Sequence, residues 1–396
     1  MARRTPSSPP RPRSPFRASF GTNPPYLAGR AAAIETVQAG LESGIWPQER
    51  AILLTGLRGV GKTVLLNEVE DIARVKGWEA LHITAREGVV DELAQTILPQ
   101  LANRLQNAPT MIPDSGGIAG ANLHLTRNPA IRDVVPSLRS GLEQVVDLLD
   151  EQHTGFFITV DEVHGDASAD LAALCTEFQH LARDGREVGI VFAGVPENVD
   201  KLKHNKGLTF IRRALPVEIG LIDYEEVKTA FAKPIADNGR LASDEVIDYM
   251  ARAAQGYPFL IQLIGDLAWR AHPERDEITL DDARSAFGAA RRRMGANVYE
   301  PSLSDLSDVD RSFLVAMSLD DEPSKPRDIA QRMNVERKYV DVYRDRLIKA
   351  RIIKPAGYGL IDFTLPYLRQ YLRETQAAEA MGGAPTNDYP APPPLE

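Results

Sequence analysis

The segment Gly56-Leu57-Arg58-Gly59-Val60-Gly61-Lys62-Thr63 is a complete G-x-x-x-x-G-K-[ST] phosphate-binding loop, and it decides the fold of this chain. An apolar run at 51–55 precedes the loop, and a segment with helical spacing of its apolar residues follows it. A strand, a glycine turn and a helix, in that order, form the context in which this pattern binds phosphate. Glycines permit the close turn, and the backbone N–H groups at the start of the helix point at the anion.

Each position of the loop has an expected role in holding a nucleoside triphosphate. Lys62 reaches the outer phosphates, and the hydroxyl of Thr63 binds Mg²⁺. The other positions of this segment predicted to contact the nucleotide are Gly56, Arg58, Gly59, Val60, Gly61 and Val64. We therefore predict ATP or ADP as the ligand and Mg²⁺ as the metal.

A second, acidic element completes the predicted site. The apolar strand at 156–160 ends in Asp161 and Glu162. In a parallel sheet this strand delivers Asp161 beside the phosphate loop, where it can bind Mg²⁺ directly or through water. Glu162 can polarise the attacking water as a general base, so the two adjacent acids favour hydrolysis over simple binding. His164 follows in the run Asp-Glu-Val-His. We expect it either to contact the residues that bind the nucleotide, without touching the nucleotide itself, or to lie at the protein surface.

Composition narrows the class of protein. With 396 residues the chain has room for two or three domains. Its 43% apolar and 26% charged residues are typical of a globular protein in water. The sequence has no apolar run long enough to span a membrane and no apolar signal-peptide core. Its single cysteine, Cys175, fits a reducing compartment. We therefore expect a cytoplasmic protein. The net charge of −9 argues against a surface that is basic all round, but it permits a local basic face.

The order of predicted elements indicates an α/β fold. Strand patterns occur at 51–55, 79–84, 156–160, 188–193 and 215–219, and helical patterns separate the first four. This alternation predicts a parallel sheet with helices on both faces. The interval 107–136 is predicted to be an inserted loop or hairpin. From residue 223 to 294 the strand patterns stop, which predicts a small helical domain.

The segment Tyr26-Leu27-Ala28-Gly29-Arg30, with Glu35, resembles the "GR…E" motif of AAA+ and STAND P-loop ATPases. Over roughly residues 16 to 374 the chain is most similar to bacterial ATPases of the origin-recognition-complex-like AAA+ branch, and Phe20–Pro25 resembles the lead-in of actinobacterial members. The resemblance implies a P-loop NTPase core with a five-stranded parallel sheet, an α-helical lid and a C-terminal winged helix. It also implies that Ala28, Gly29 and Arg30 help to enclose the adenine. From the residues alone, a turn before an N-terminal helix explains this motif equally well.

The corresponding domain boundaries are a disordered basic tail at 1–19, an ATPase core at 20–220, a lid at 221–297, a winged helix at 298–375 and a disordered tail at 376–396.

The resemblance also implies roles for residues at three further places in the chain. Arg212 and Arg213 match the arginine-finger region, which supplies positive charge to a neighbour's nucleotide, although a solvated basic pair is the alternative. Pro258 ends a Gly-Tyr-Pro run that resembles the lid element touching the nucleotide. Near the strand at 188–193 the available polar sensor is Asn198. Phe259 or Leu260 stands where the resemblance implies a lid arginine, so hydrolysis is expected to be slow.

The segment 326–363 predicts a helix, a turn, a second helix and two strands around a glycine turn, which is the layout of a winged helix. From Lys325 to Lys354 ten basic residues against four acidic residues leave a surplus of +6, which suits contacts to the phosphates of double-stranded DNA. However, Asp341 and Asp345 lie on the polar face of the second helix and would repel a DNA groove.

Two functional hypotheses follow. The first is an ATP-dependent AAA+ switch that binds DNA through its C-terminal unit. The second is a STAND-like signalling ATPase that docks a protein partner or assembles with copies of itself. A third reading, a small-molecule kinase, has no acceptor-site signature in the sequence.

Overall fold

The computed structural model describes residues 13–19, 23–43, 48–107, 137–205, 207–304 and 306–381, with side chains up to Thr375. Apart from Asn107, the inserted loop predicted for 107–136 lies outside the described residues, as do 1–12 and 382–396 of the predicted tails. Phe20, Gly21 and Thr22 of the lead-in also lie outside them.

Five parallel strands form the central sheet and confirm the predicted fold class. They are β1 (Ala51–Thr55), β2 (Glu79–Thr84), β3 (Phe156–Asp161), β4 (Val188–Gly194) and β5 (Leu215–Glu218), in the spatial order β2-β3-β4-β1-β5. Continuous apolar runs predict these strands because a parallel sheet covered by helices buries both of its faces. The carboxyl ends of β1, β3 and β4 therefore meet at one edge of the sheet.

Helices cover both faces of the sheet. They are α1 (Ala31–Glu42), α2 (Lys62–Val75), α3 (Val89–Glu92), α4 (Leu98–Gln106), α5 (Leu138–Glu151), α6 (Ser168–Arg183), α7 (Pro196–His204) and α8 (Thr209–Arg213), with a π-helical turn at Leu93–Ile97 between α3 and α4. Successive side chains of β1 alternate between two cores, so that Ile52 and Leu54 pack with α1 and α2, whereas Leu53 packs with α4, α5 and α6.

The segment after β5 is mainly helical, as predicted. It contains α9 (Tyr224–Asp237), α10 (Asp244–Ala254), α11 (Pro258–Ala271) and α12 (Leu280–Met294). Two short parallel strands, β6 (Leu241–Ala242) and β7 (Glu277–Ile278), join its loops and were not predicted. We call residues 223–294 the lid segment.

A π-helical turn at Gly295–Tyr299 leads from the lid segment into the C-terminal unit. This unit contains α13 (Glu300–Ser304), α14 (Asp308–Ser318), α15 (Pro326–Met333), α16 (Arg337–Lys349), the antiparallel strands β8 (Ile353–Pro355) and β9 (Ile361–Phe363), and α17 (Leu368–Met381). Asn334 adopts the left-handed conformation (φ 54°) that ends α15, and it lies in the turn predicted between the two helices. The predicted order of two helices and a hairpin is thus observed.

The lid segment, the C-terminal unit and one face of the sheet share a single apolar cluster, which includes Val69 of α2, Ile264 of α11 and Leu368 of α17. Among the described residues no helix is long and apolar enough to cross a membrane.

The structure corrects both predicted tails where they are described. Phe16 is only 3% exposed, and its ring packs beside Gly265 and 6.0 Å from the ring of Phe231. The backbone N–H of Arg17 donates to Oε1 of Gln262 at 2.9 Å. The arginines, the serines and Pro15 of segment 13–19 favour a tail in the sequence, because one large apolar residue among them gives no periodic pattern. At the other end α17 continues to Met381, beyond the predicted boundary at residue 376.

We expect Phe16→Ala to lower the free energy of unfolding by about 3 kcal/mol, because it removes a buried ring that packs against the lid segment. The measurement is the midpoint of thermal unfolding, compared with that of Arg13→Ala, which changes an exposed residue of the same segment 13–19. Equal midpoints for the two variants would show that Phe16 does not hold segment 13–19 against the lid segment.

Candidate nucleotide site

A cavity of about 470 Å³ opens at the carboxyl edge of the sheet, between the phosphate loop and the lid segment. We call it the P-loop cavity. This volume is in the range of small-molecule sites. Its polar and charged lining residues are Arg17, Ser19, Arg30, Arg58, Lys62, Thr63, Asp161, Glu162, His164, Asn198, Gln262 and Asn297.

The phosphate loop has the backbone that an anion cradle requires. Gly59 (φ 73°) and Gly61 (φ 90°) adopt left-handed conformations, and Gly61 is the N-cap of α2. Within the described part of the chain no side chain caps this helix, so its first N–H groups face no side-chain acceptor there and suit an anion in the cavity. Arg58, Val60 and Val64 also line the cavity, whereas Gly56 lies behind it against the backbone of Ile219.

Lys62 lies at the start of α2 and lines the cavity. Its Nζ donates to the backbone oxygens of Gly56 and Leu57, each at 2.9 Å. Burial lowers the pKa of Lys62 to about 8, although the negative charge of Asp161 opposes this shift. An anion in the cavity would stabilise the ammonium form.

Thr63 and Asp161 meet although 98 residues separate them in the chain. Oγ1 of Thr63 donates to Oδ2 of Asp161 at 2.5 Å. The N–H of Glu162 donates to Oδ1 of Asp161 at 2.8 Å, and Glu162 has φ 54°, a costly conformation for a non-glycine residue. Asp161 is 5% exposed, whereas Glu162 is exposed to the cavity, so the two carboxylates have different surroundings.

A hydroxyl and a carboxylate are oxygen donors of the kind that Mg²⁺ prefers. Among the described residues no group of three or more His, Cys, Asp or Glu side chains could hold a metal by itself. Thr63 and Asp161 therefore fit a magnesium ion that takes its remaining ligands from phosphate and water, as is usual for this ion.

Arg30 joins three parts of the chain around the cavity. Its guanidinium donates to the backbone oxygens of Gly29, Val60 and Gly220 at 2.8 to 2.9 Å. The side chain is buried, and burial lowers its pKa. Gly29 (φ 66°) packs against Ile222 without lining the cavity, while Ala28 does line it. Arg30 thus fixes the phosphate loop to the connection between the core and the lid segment.

The Gly-Tyr-Pro turn before α11 closes the opposite wall. Gly256 (φ 71°) accepts a hydrogen bond from the N–H of Ile222 at 2.7 Å, a contact for which a side chain at 256 would leave no space. The buried hydroxyl of Tyr257 donates to the backbone oxygen of Arg58. Pro258 and Phe259 line the cavity, whereas Arg252 pairs with Asp248 outside it.

The remaining predicted residues divide into two groups. Asn198 lines the cavity, and so does His164, whose Nε2 lies 3.1 Å from the backbone oxygen of Ala85. Arg212 and Arg213 lie on α8, exposed and away from the cavity.

The lining residues that sequence reasoning missed include Arg17, Ser19, Gln262, Asn297 and Pro301. Gln262 follows Pro258 by one helical turn, so the Gly-Tyr-Pro run could have indicated it. No local pattern marks the other four.

Comparison with known families and structures agrees with this geometry. Residues 26–191 match the AAA ATPase domain, and residues 296–372 match a domain of unknown function (DUF8462). No curated protein matches the chain significantly.

Several solved structures have a similar fold. The Walker-type ATPase of Pyrococcus abyssi shares 18% identity with a TM-score of 0.60, covering 88% of this chain and 96% of that one. The ORC2 protein of Aeropyrum pernix, in ADPNP–ADP complexes, shares 16% identity with a TM-score of 0.60, covering 92% and 98%. At these identities the likeness concerns the fold. The chain thus has a P-loop NTPase fold, and its residues 26–191 match the AAA ATPase domain.

Proposed function

We propose that this protein is an ATP-binding and ATP-hydrolysing switch whose nucleotide state controls binding of double-stranded DNA by its C-terminal unit. The contact of Thr63 with Asp161 beside Lys62 carries the nucleotide half of the proposal, because it joins the phosphate loop to the acidic strand in one cavity. The AAA ATPase match of residues 26–191 supports the same half.

In this proposal Lys62 turns from the oxygens of Gly56 and Leu57 to the outer phosphates. The glycine cradle holds the phosphate chain through its N–H groups. Thr63 and Asp161 hold Mg²⁺, which supplies positive charge to the phosphate oxygens. Ala28 and Pro258 contribute to the walls around the nucleoside, and Arg30 keeps these walls in register with the loop.

Glu162 is the proposed general base. It accepts a proton from water as the water oxygen attacks the terminal phosphorus, the bond to the bridging oxygen breaks, and ADP and phosphate result. Phe259, one of the two apolar residues that stand in place of the expected lid arginine, lines the cavity and adds no charge, so we expect slow turnover. Arg212 and Arg213 are exposed, which suits a role toward the nucleotide of a neighbouring copy in a homo-oligomer.

The DNA half rests on the charge of the C-terminal unit. Of the ten basic residues between Lys325 and Lys354, five form ion pairs with described carboxylates: Arg332, Arg337, Arg344, Arg346 and Arg351. Lys338 on α16 and Lys354 on β8 are exposed and form no ion pair within the described part of the chain. These two lysines are our candidates for phosphate contacts.

A specific observation also favours the second function, docking of a protein partner. Tyr339 and Val342 are 42% and 64% exposed on α16, and Tyr358 is fully exposed between β8 and β9. Arg337 and Arg344 of the same helix are paired with Asp341. Apolar side chains among neutralised charges are more typical of a protein interface than of a DNA interface.

Lys62→Ala should weaken ATP binding by about 100-fold, because a charge-assisted contact to phosphate is lost. Glu162→Gln should keep the affinity and lower turnover by about 10²-fold or more, because the amide cannot accept the proton. Binding is measured by calorimetry and turnover by phosphate release. The control is Glu87→Gln, which removes an exposed carboxylate outside the cavity. Equal turnover of wild type and Glu162→Gln would remove Glu162 from catalysis.

The pKa of Lys62 near 8 predicts a pH dependence of nucleotide affinity. Since phosphate binds the ammonium form, ADP affinity should be nearly constant below pH 7 and fall about tenfold between pH 7 and pH 9 as the free protein loses this proton. Lys62→Arg keeps its charge and serves as the control, because both proteins share the ionisation of ADP. A parallel decline in the two proteins would contradict the prediction.

Replacing Lys338 and Lys354 together by alanine should weaken binding to duplex DNA and reduce the slope of log affinity against log salt by about 2, one unit for each lost phosphate contact. The measurement is fluorescence anisotropy with ATP, with ADP and without nucleotide, at several salt concentrations. Lys203→Ala on α7 is the matched control. Absence of salt-dependent binding by the wild type would reject the DNA half and leave the protein-docking function.

A further inference from the structure

The π-helical turn Gly295–Tyr299 connects the P-loop cavity to the C-terminal unit. Asn297 of this turn and Pro301 of α13 line the cavity. Both lie within residues 296–372, the domain of unknown function, and outside the AAA ATPase match. The cavity is therefore incomplete without a residue from the segment that leads into the C-terminal unit. π-Helical turns are rare in proteins and frequently mark functional positions.

Two other residues of the turn, Gly295 and Tyr299, pack against α17. Tyr299 is 2% exposed, its ring lies 4.9 Å from that of Tyr371, and its hydroxyl donates to the backbone oxygen of Pro366. At Gly295 even a Cβ atom would approach the ring of Tyr371 to 3.0 Å. This close packing leaves the turn no freedom to move without moving α17.

A second set of contacts lies just before the turn. Arg291, in the last turn of α12, pairs with Glu374 of α17 at 3.4 Å and lies 5.1 Å above the ring of Tyr367. The Arg291 side chain is 4% exposed, so this pair is largely shielded from water. The end of α12, the turn and the first half of α17 thus form one packed body.

Two carboxamide side chains of the cavity suit contacts to a nucleoside. Lys62 and Arg58 provide positive charge in the phosphate loop, and Arg17 and Arg30 also line the cavity. Asn297 and Gln262 offer neutral carboxamides, which both donate and accept hydrogen bonds, as hydroxyls and ring nitrogens require. Oε1 of Gln262 already accepts from Arg17, while Asn297 is exposed to the cavity.

We propose that Asn297 hydrogen-bonds the nucleoside part of the bound nucleotide, and that the turn Gly295–Tyr299 passes occupancy of the cavity to α17 and the C-terminal unit. The inference rests on the proposed nucleotide-binding function and adds the residue and the route of its regulation. Asn297 acts as a binding residue, and Tyr299 acts as a positioning residue that touches no ligand.

The test uses the full chain, with ADP as the probe and hydrogen–deuterium exchange as the readout. In the wild type, saturating ADP should slow exchange at 295–299 and at 366–374. Asn297→Ala should raise the Kd for ADP about fivefold, the size of one neutral hydrogen bond, and remove the protection at 366–374. Asn297→Asp should weaken binding further, since it loses donors and adds a negative charge.

Tyr299→Phe separates the two roles. It keeps the ring but loses the donor to Pro366, so the Kd for ADP should stay within about twofold while the protection at 366–374 falls. Arg293→Ala, exposed on α12 and outside the cavity, is the control and should behave as the wild type in both measurements.

Different results reject different parts. If the wild type binds no nucleotide, the proposed function fails and this inference fails with it. If the wild type binds ADP but Asn297→Ala has the same affinity, or if protection at 366–374 is absent in the wild type or unchanged in Tyr299→Phe, the inference alone is overturned.

Discussion

The hydrogen bond between Thr63 and Asp161 is the contact on which the site depends. It joins the first turn of α2 to the end of β3, although β4 lies between β1 and β3 in the sheet. Parallel register brings these carboxyl ends to one edge, so a polar pair can form there without breaking a strand. The buried ammonium of Lys62 next to this pair has a pKa near 8, so it forms the positively charged pole of the cavity at neutral pH. A cradle with this polarity favours anions before any ligand arrives.

Around this pair the backbone is held by groups that bridge distant segments. Arg30 supplies three hydrogen bonds to carbonyl oxygens of the N-terminal motif, the phosphate loop and the connection to the lid segment. Tyr257 anchors the lid segment to the loop through the oxygen of Arg58. Displacing Arg30 would remove one hydrogen bond from each of three segments, and displacing Tyr257 would remove the hydrogen bond between the lid segment and the phosphate loop. The core and the lid segment are therefore coupled at the phosphate loop itself.

Fewer basic side chains of the C-terminal unit are unpaired than its composition indicates. The segment 325–354 has a surplus of six positive charges, but five of its arginines form ion pairs, and one of these pairs joins Arg351 to Glu218 on β5. Exposed pairs of this kind stabilise little, but they compete with other anions for the same cations. Release of Arg351 from Glu218 would free a cation and loosen the unit from the sheet edge. The surface charge of this unit thus depends on its contact with the sheet edge.

The sequence determined the fold class, the five strands and the residues of the phosphate loop and acidic strand, because these follow from local patterns: continuous apolar runs, glycines before a helix, and acids at a strand end. It also predicted two helices (α15 and α16) and the hairpin of the C-terminal unit. It did not reveal the packing of Phe16, the extension of α17, or the approach of Gln262 and Asn297 to the cavity. Those features arise from contacts between segments far apart in the chain, for which no local spacing carries a signal. The further polar side chains that line the cavity, such as Gln262 and Asn297, were known only from the tertiary structure, because they depend on how the lid segment and the C-terminal unit pack against the sheet.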